Sequence, residues 1–264
     1  MAVLVVADLH LDMWLQSGRD PLAALSPDLL GSLEGLIVAG DLSNKPKIRW
    51  PHMLRHLMRY VAPERLHVFP GNHDYYDFVL NGEDRLASIC VEAGANYAQK
   101  AQFVIDDTRF LTCTLWTDFA LYGEPGRAMM IAQRDMNDYR YIRHGGTDFR
   151  RIRPSDTAYI HADHRTWLEE QLTVPFPGKT IVVTHHCPHP EMVGERRGDL
   201  DAAYGSNLLS MIERYEPHAW LFGHTHWRTD ATVGRTLVRN VSLAYPGQVP
   251  VGEEEGILMR GMLS

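Results

Sequence analysis

The chain has 264 residues, of which 45% are hydrophobic and 22% charged, and this composition predicts a globular protein of one to two domains. Its net charge of −7 and the lack of a basic stripe argue against a duplex nucleic acid partner. Cys90, Cys113 and Cys187 are widely spaced, which disfavours a disulfide framework or a thiolate zinc site. Without a signal-peptide pattern or a long apolar run, we predict a cytoplasmic protein with no membrane partner.

The first two predicted strands each end in groups that can bind a metal ion. Val3–Val6 is a continuous apolar run, as expected of a strand that is buried on both faces. Asp8 and His10 follow it and alternate around one leucine, so extended backbone points both side chains to one side. Gly35–Ala39 is the second strand, and Asp41 follows it after a glycine that permits a close turn.

The third predicted strand, Leu66–Phe69, ends in the most concentrated set of polar groups. A proline and a glycine stop the strand, and Asn72, His73 and Asp74 follow at once. An amide oxygen, an imidazole and a carboxylate therefore share one tight loop. Open α/β sheets bind ligands at such strand ends. Taken alone, this loop could also be a polar turn without a function.

Two later strands repeat the pattern with histidines. Residues 180–184 form a buried strand that is followed by His185 and His186. Ala219–Phe222 is another, and His224 and His226 follow it, alternating around a threonine. Imidazole and carboxylate groups together suit borderline divalent metals. A single histidine after a strand is more often structural, but five strand ends with ligand chemistry together predict a metal centre.

The remaining segments are predicted as helices, hairpins and loops. Residues 117–153 break the strand-and-helix rhythm, and their glycines, tyrosines and arginines indicate a lid over a site. A surface excursion with solvated arginines is the alternative. We predict helices after Pro27 and at about residues 50–60, 85–93, 154–172 and 207–215, hairpins at 103–115 and 229–241, and a charged loop at 194–204.

Five motifs occur in order between Asp8 and His226: Asp-x-His, Gly-Asp, Gly-Asn-His-Asp, a histidine after a strand, and Gly-His-x-His. In this set the chain resembles the calcineurin-like metallophosphoesterase superfamily, with its bacterial-type binuclear enzymes. The resemblance implies an α/β fold, namely a four-layer αββα sandwich of two mixed β-sheets flanked by helices. We interpret residues 1–264 as a single domain of this type, with residues 117–153 as a lid insertion.

The resemblance also implies a cofactor of two divalent or mixed-valence metal ions, for which manganese, iron and zinc all suit the ligands. The shared ligand would be Asp41, because a carboxylate has two oxygens and can bridge two ions. The implied ligands lie at the five strand ends: Asp8, His10, Asp41 and His226 for one ion, and Asp41, Asn72, His185 and His224 for the other.

The reaction that the resemblance implies is hydrolysis of a phosphate mono- or diester by a hydroxide that bridges the two ions. His73 would protonate the leaving oxygen, and Asp74 would orient and charge the His73 imidazole. The substrate would be a small phosphoester, with nucleotides among the candidates. The side chains predicted to contact the substrate are polar or aromatic: His186, Tyr139, Arg140, Arg143 and Asn207.

Two other function classes remain open. The chain could be a non-catalytic metal-binding interaction module on the same fold, although the complete ligand set and His73 argue against it. A lactamase-like metallohydrolase would carry His-x-His-x-Asp-His on one loop, and the sequence has no such run.

Overall fold

The computed structural model describes residues 2–194 and 198–264. Within these residues, no helix combines the length and the apolar character needed to span a membrane. The strands are β1 (Val3–Val6), β2 (Gly35–Ala39), β3 (Leu66–Phe69), β4 (Asn96–Tyr97), β5 (Ala101–Ile105), β6 (Thr108–Cys113), β7 (Lys179–Thr184), β8 (Ala219–Phe222), β9 (Asp230–Val233), β10 (Thr236–Asn240) and β11 (Met262–Leu263). The helices are α1 (Leu11–Gln16), α2 (Pro27–Ser32), α3 (Pro46–Leu57), α4 (Glu83–Ala93), α5 (Pro125–Asp135), α6 (Asp138–Tyr141), α7 (Pro154–Thr173), α8 (Leu209–Tyr215) and α9 (Glu254–Leu258).

In the described part of the chain, the strands form two mixed sheets, one of five strands and one of six. The first sheet has the order β11-β1-β2-β3-β4, and β1, β2 and β3 run parallel. The second has the order β5-β6-β7-β8-β10-β9, and β6, β7 and β8 run parallel. Parallel neighbours have their carboxyl ends at the same edge of a sheet. The loops after β1, β2 and β3 therefore lie side by side, as do those after β7 and β8.

Apolar side chains pack the two sheets face to face. Val5, Ile37 and Phe69 of the first sheet share one buried cluster with Phe110 and Val183 of the second. Successive side chains of a strand point to opposite faces, so every second residue of these strands contributes to this layer. Its burial removes apolar surface from water and holds the sheets together.

The outer face of each sheet is covered by helices. Val38 of β2 lies in a buried cluster with Leu54 of α3. Trp220 of β8 lies in another, with Leu168 of α7 and Ile212 of α8. The layers therefore run helix, sheet, sheet, helix, which confirms the predicted four-layer αββα sandwich.

The structure differs from the predicted elements mainly in residues 117–153. This segment contains α5 and α6. Ala132, Met136 and Ile142 are buried in the main core cluster, the one that also holds Val38 and Leu54. The segment is therefore packed into the protein over much of its length, while its function as a lid stays a prediction. Helix α3 begins at Pro46, because proline suits a first turn whose N–H groups have no helical partner.

The charged loop predicted at residues 194–204 is partly ordered into a short 3-10 helix, Gly198–Ala203. Residues 195–197 of that predicted loop lie outside the described residues. Both predicted hairpins are confirmed, because β5 pairs antiparallel with β6 and β9 with β10.

Candidate metal centre

Predicted ligands after β1, β2 and β8 have a strained backbone. The φ angles are 52° at Asp8, 38° at His10, 58° at Asp41, 64° at His224 and 52° at His226. Residues other than glycine rarely adopt this left-handed backbone conformation, and each one that does lowers the stability of the fold by about 1–3 kcal/mol. Strained backbone at the ends of these strands is typical of a functional site. There it turns polar side chains towards one another, an arrangement that packing alone would not favour.

Two glycines let the loops approach one another closely. A Cβ added to Gly40 would lie 2.3 Å from Nδ1 of His185, and one added to Gly71 would lie 2.2 Å from Oδ1 of Asp41. Neither distance is possible for a real side chain. The glycines therefore bring the loops after β2, β3 and β7 into contact, and the two sheets contribute to a single site.

The carboxylates of Asp8 and Asp41 lie between the imidazoles. Nε2 of His226 is 3.2 Å from Oδ1 of Asp8. Nε2 of His10 is 3.7 Å from Oδ2 of Asp41, and Nε2 of His185 is 3.5 Å from Oδ1 of the same carboxylate. The two oxygens of Asp41 thus face histidines from opposite sheets. This geometry is suited to a carboxylate shared between two ions.

Several polar atoms of this cluster are buried without a hydrogen-bond partner among residues 2–194 and 198–264. They include Oδ1 of Asp8, both ring nitrogens of His10, and Nε2 of His224. Leaving a buried acceptor unpaired costs about 1–3 kcal/mol, so each of these atoms needs an explanation. Imidazole nitrogens and carboxylate oxygens are the ligands of borderline divalent metals. The residues present therefore fit the metal ions that the sequence predicts.

The pKa shifts of the carboxylates and imidazoles in this cluster also fit a metal site. Burial, and then the charges of Asp8 and Asp74, hold the pKa of Asp41 well above its usual range. Burial also holds the pKa of His10 well below its usual value, as do the neighbouring His73 and His226. Burial would raise the pKa of Asp8, but its histidine neighbours, His226 first, lower it overall. An imidazole that burial keeps neutral, such as that of His10, can bind a divalent cation, and close carboxylates favour that cation electrostatically.

Further contacts orient the ligand atoms inwards. Nδ1 of His185 lies 3.0 Å from the carbonyl oxygen of Ala39, which leaves Nε2 to face the other ligands. Nδ1 of His226 lies 2.8 Å from Oε1 of Gln248 in the same way. Second contacts of this kind fix the ring and its tautomer in metal sites. Gln248 lies 22 residues from His226, which explains why sequence reasoning missed it.

Two hydrogen bonds hold one oxygen of the Asp8 carboxylate. The backbone N–H of His224 donates to Oδ2 at 2.8 Å, and the Ser242 hydroxyl donates to the same oxygen at 2.6 Å. The other oxygen, Oδ1, is left facing His226. Ser242 lies 234 residues from Asp8 in the sequence, and the local pattern carried no signal for it.

The amide of Asn72 is oriented by a buried carboxylate that sequence reasoning did not select. Nδ2 of Asn72 donates to Oδ1 of Asp138 at 2.8 Å, and the Tyr76 hydroxyl donates to the same oxygen at 2.7 Å. Oδ1 of Asn72 therefore faces Nε2 of His185, at 3.1 Å. Asp138 is the first residue of α6, and its carboxylate is only 3% exposed, which the surrounding sequence did not indicate.

His73 lies at the edge of the cluster beside the cavity. Its ring stacks on Tyr76 with centroids 4.2 Å apart, and its Nδ1 is 3.0 Å from Oδ1 of Asn44. Its Nε2 is 3.4 Å from the Tyr245 hydroxyl. Burial, together with the nearby His185, lowers the pKa of His73 to about 3. Asn44 and Tyr245 were not identified from the sequence.

The expected pairing of Asp74 with the His73 ring is corrected by the structure. The Asp74 carboxylate is fully buried and accepts hydrogen bonds from the backbone N–H groups of Leu42, Ser43 and Gly71 and from the Trp50 indole. These bonds tie the loop after β2 to the loop after β3. Nδ1 of His73 contacts Asn44 instead.

A cavity of about 320 Å³ opens onto the cluster. Residues 135–137, which precede α6, form part of its wall. Three tyrosines and a glutamine that the sequence did not single out also line it. The lining consists of Asp41, Asn72, His73, Tyr76, Asp135, Met136, Asn137, Leu200, Tyr204, His224, Thr225, His226, Tyr245 and Gln248.

Three predicted substrate contacts do not line this cavity. Tyr139 is buried in the main core, where its hydroxyl lies 3.2 Å from that of Thr157. His186 is also buried, and its ring packs 4.2 Å from that of His224, a predicted ligand. Asn207 is exposed, and its side chain accepts a hydrogen bond from the backbone N–H of Leu209 at the start of α8. The structure therefore does not bring these three side chains to the cavity, and the sequence alone did not reveal the direction in which each one points.

Arg140 and Arg143, the other two predicted substrate contacts, lie elsewhere. They line a second cavity of about 500 Å³, together with Tyr141, Phe149 and Arg151. The structure therefore does not bring them to the metal cluster. It does place them on the same segment, residues 117–153, that contributes to the wall of the first cavity.

Comparison with known proteins agrees with this architecture. The sequence model of the calcineurin-like phosphoesterase family matches residues 1–228. An uncharacterized protein of Acanthamoeba polyphaga mimivirus is 22% identical over 228 residues, which cover 80% of this chain and 78% of the relative.

Solved structures share the fold. The phosphopantetheinyl hydrolase PptH of Mycobacterium tuberculosis has a TM-score of 0.69 at 19% identity, over 94% of this chain and 90% of that one. The Thermus thermophilus protein TT1561 has a TM-score of 0.50 at 11% identity, over 91% of this chain and 88% of that one.

Proposed function

Because the chain belongs to the calcineurin-like phosphoesterase family, we propose that it hydrolyses a phosphate mono- or diester with the help of two metal ions. The observation that carries the proposal is the convergence of imidazoles from both sheets on the two oxygens of Asp41. The unpaired buried atoms of Asp8, His10 and His224 support the same conclusion.

We assign the ligands as two sets that share Asp41. Side chains from the loops after β1, β2, β3, β7 and β8 take part: Asp8, His10, Asp41 and His226 in one set, and Asp41, Asn72, His185 and His224 in the other. Bound metal ions would neutralise the phosphoryl oxygens and activate a water molecule for attack on phosphorus. The strained loops hold the ligand atoms in place before the ions bind, which lowers the cost of forming the site.

His73 is proposed to donate a proton to the leaving oxygen. Its ring borders the cavity, and the contact of Nδ1 with the Asn44 amide oxygen leaves Nε2 directed towards Tyr245 and the cavity. Because burial holds the pKa of this ring at about 3, the ring would take up its proton only when the anionic ester is bound, and the Asn44 oxygen would then stabilise the imidazolium. Tyr76 stacks on the ring and keeps it against the wall. General acids of this kind typically contribute about 10²–10⁴-fold to turnover.

The substrate remains to be selected by experiment. The purified protein should be stripped of metal with a chelator and restored separately with manganese, iron or zinc. Each form is then assayed with an aryl monoester, an aryl diester, a nucleotide diester and a phosphopantetheinyl ester. The phosphopantetheinyl ester is included because the structurally similar Mycobacterium tuberculosis protein is a phosphopantetheinyl hydrolase. We expect turnover of at least one ester, dependent on metal.

A variant of the shared ligand tests the assignment directly. Asp41→Asn should lose both metal and turnover, because an amide provides one oxygen and no charge. Asp28→Asn changes an exposed carboxylate on α2 and is the matched control. Full metal content and full turnover in Asp41→Asn would contradict the shared site. A wild-type protein that binds metal but cleaves no ester would favour the non-catalytic interaction module.

We further propose that residues 117–153 act as a lid. Met136 and Asn137 line the cavity, while Gly123 and Gly146 have positive φ angles and open space around them. Trypsin cleavage at the exposed Arg134 should slow when inorganic phosphate is bound. A cleavage rate that does not respond to phosphate would favour a surface excursion instead.

A further inference from the structure

The second cavity, of about 500 Å³, is positively charged in a protein whose net charge is −7. Four cationic side chains line it: Lys47 from α3, Arg140 from α6, and Arg143 and Arg151 from the segment that follows α6. Asp77 also lines the cavity, and Nζ of Lys45 lies 3.7 Å from its carboxylate. A local excess of positive charge on an acidic protein favours an anionic ligand at this place.

The backbone around the cavity holds two arginines opposite each other. Arg143 donates its N–H to the carbonyl oxygen of Phe78 at 3.0 Å and accepts from the N–H of Leu80 at 2.8 Å. On its other side, Arg143 pairs with Arg151 in an antiparallel bridge. Like charges placed directly opposite each other on paired strands are destabilising. The fold tolerates this repulsion at a surface cavity that both side chains line, where a bound anion would reduce it.

Protein carboxylates do not neutralise these two arginines. The neighbouring Arg150 forms an ion pair with Asp156 at 2.7 Å. In contrast, within residues 2–194 and 198–264, neither Arg143 nor Arg151 has a carboxylate partner. Guanidinium groups match phosphate oxygens with two parallel hydrogen bonds, which makes phosphate the best-suited anion.

Aromatic rings form the rim of the cavity and connect it to the metal centre. Phe149 is 60% exposed and has a φ of 33°, a rare conformation for a bulky side chain. Tyr141 is 48% exposed, and its ring lies 5.5 Å from that of Tyr76, which in turn stacks on His73. The second cavity is thus two ring contacts from His73. Tyr76 lines the first cavity and Tyr141 lines the second, so the two cavities are neighbours across this ring contact.

We infer that the cavity lined by Arg143 and Arg151 binds a second, unreacting phosphate of a substrate whose ester bond is cleaved at the metal centre. This inference rests on the proposed function and narrows its substrate class to phosphoesters that carry a remote phosphate. The exposed rings of Tyr141 and Phe149 would contact a flat part of the same molecule. Binding energy from such a remote group increases the rate with the full substrate and not with a truncated one.

Two esters that differ only in the remote phosphate test the inference. One is adenosine 5′-(4-nitrophenyl phosphate), and the other carries an additional 3′-phosphate. We expect Arg143→Ala and Arg151→Ala each to lower kcat/KM for the second ester by about tenfold. Turnover of the first ester should change less than about twofold. Arg214→Ala, on α8 and outside the lining of both cavities, is the control and should change neither.

Direct binding separates this inference from the proposed function. Calorimetric titration of the full metal-loaded chain with adenosine 3′,5′-bisphosphate should show binding that weakens about tenfold in each arginine variant. Arg151→Lys, which keeps the charge but loses the paired hydrogen bonds, should retain intermediate affinity. Thermal unfolding confirms that the variants are folded, because loss of like-charge repulsion should leave their midpoints unchanged or raised.

The outcomes are distinct. A protein without esterase activity whose binding of the bisphosphate depends on both arginines would contradict the proposed function and support the cavity as a phosphate site. An active enzyme that treats the two esters alike, in the wild type and in both variants, would overturn the inference and leave the proposed function intact.

Discussion

The amide of Asn72 donates a hydrogen bond of 2.8 Å to the carboxylate of Asp138, 66 residues further along the chain. This contact fixes which end of the amide faces His185. An asparagine ligand can bind a metal ion only through its oxygen, so the neighbouring carboxylate decides whether Asn72 is a ligand at all. Burial raises the pKa of Asp138, while its hydrogen bonds from Asn72 and Tyr76 favour the charged form.

Replacement of Asp138 should therefore weaken metal binding without removing a ligand. Asp138→Ala is expected to lower metal affinity about 10–100-fold, which is the usual effect of removing the hydrogen-bond partner that orients a metal ligand. Asp138→Asn should rescue part of the loss, because its amide oxygen can still accept from Asn72. Metal titration followed by elemental analysis measures both. Tyr76→Phe, which removes only the other hydrogen bond to Asp138, is the control, and a loss as large as that of Asp138→Ala would contradict the orienting function.

Replacement of His73 should affect chemistry more than metal content. His73→Ala is expected to lower turnover by about 10²–10⁴-fold for an ester with an alkoxide leaving group. A nitrophenolate leaving group needs little protonation, so its ester should lose far less. Asn44→Ala should give a smaller loss of the same kind, because it removes only the partner of Nδ1. If both leaving groups lose turnover equally in His73→Ala, the proton-donor assignment fails.

Asp74 is expected to act on stability. Asp74→Ala leaves the N–H groups of Ser43 and Gly71 and the Trp50 indole buried without this acceptor. At about 1–3 kcal/mol for each unpaired group, the free energy of unfolding should fall by at least about 3 kcal/mol. Urea unfolding of the metal-free protein measures this directly. Asp28→Ala, an exposed carboxylate on α2, should change stability by no more than about 0.5 kcal/mol.

The outcome also decides between two functions of Asp74. If Asp74→Ala is as stable as the wild type but has lost its dependence on the leaving group, the carboxylate acts through His73 after all. If stability falls and the leaving-group dependence of the remaining activity is unchanged, Asp74 is a positioning residue.

His67 should make stability depend on pH at a site remote from the metal ligands. Its ring stacks on Phe103 with centroids 4.1 Å apart, and burial lowers its pKa from 6.5 to about 4. Between these two values the unfolded chain binds a proton that the folded protein does not. Stability is therefore greatest above pH 6.5 and is lost as the pH falls towards 4, by up to about 1.4 kcal/mol per pH unit.

The matched variant for this prediction is His67→Phe, which keeps a flat ring against Phe103 and removes the titrating group. Denaturant unfolding at a series of pH values should show a shallower loss of stability in the variant than in the wild type. Parallel curves for the two proteins over pH 4–6.5 would show that His67 does not contribute.

Sequence alone was enough to predict the strands that carry the site and the side chains that follow them. Buried parallel strands appear as continuous apolar runs, and their ends are marked by glycine, proline and polar groups. Through their resemblance to a known family, the motifs from Asp8 to His226 predicted the layered fold that the structure confirms. The apolar runs by themselves indicated only buried strands that alternate with helices. Asp41 could be recognised as a candidate ligand from the sequence, because a glycine and this carboxylate directly follow β2.

Tertiary structure decided the groups that orient and surround those ligands. Asp138, Gln248 and Asn44 contact Asn72, His226 and His73 across sequence gaps that no local pattern links. Chain folding also decided which candidates point inwards: Tyr139 and His186 are buried in cores, whereas Arg140 and Arg143 line a second cavity. Side-chain direction depends on the packing of elements that are distant in sequence, and so it was available only from the folded chain.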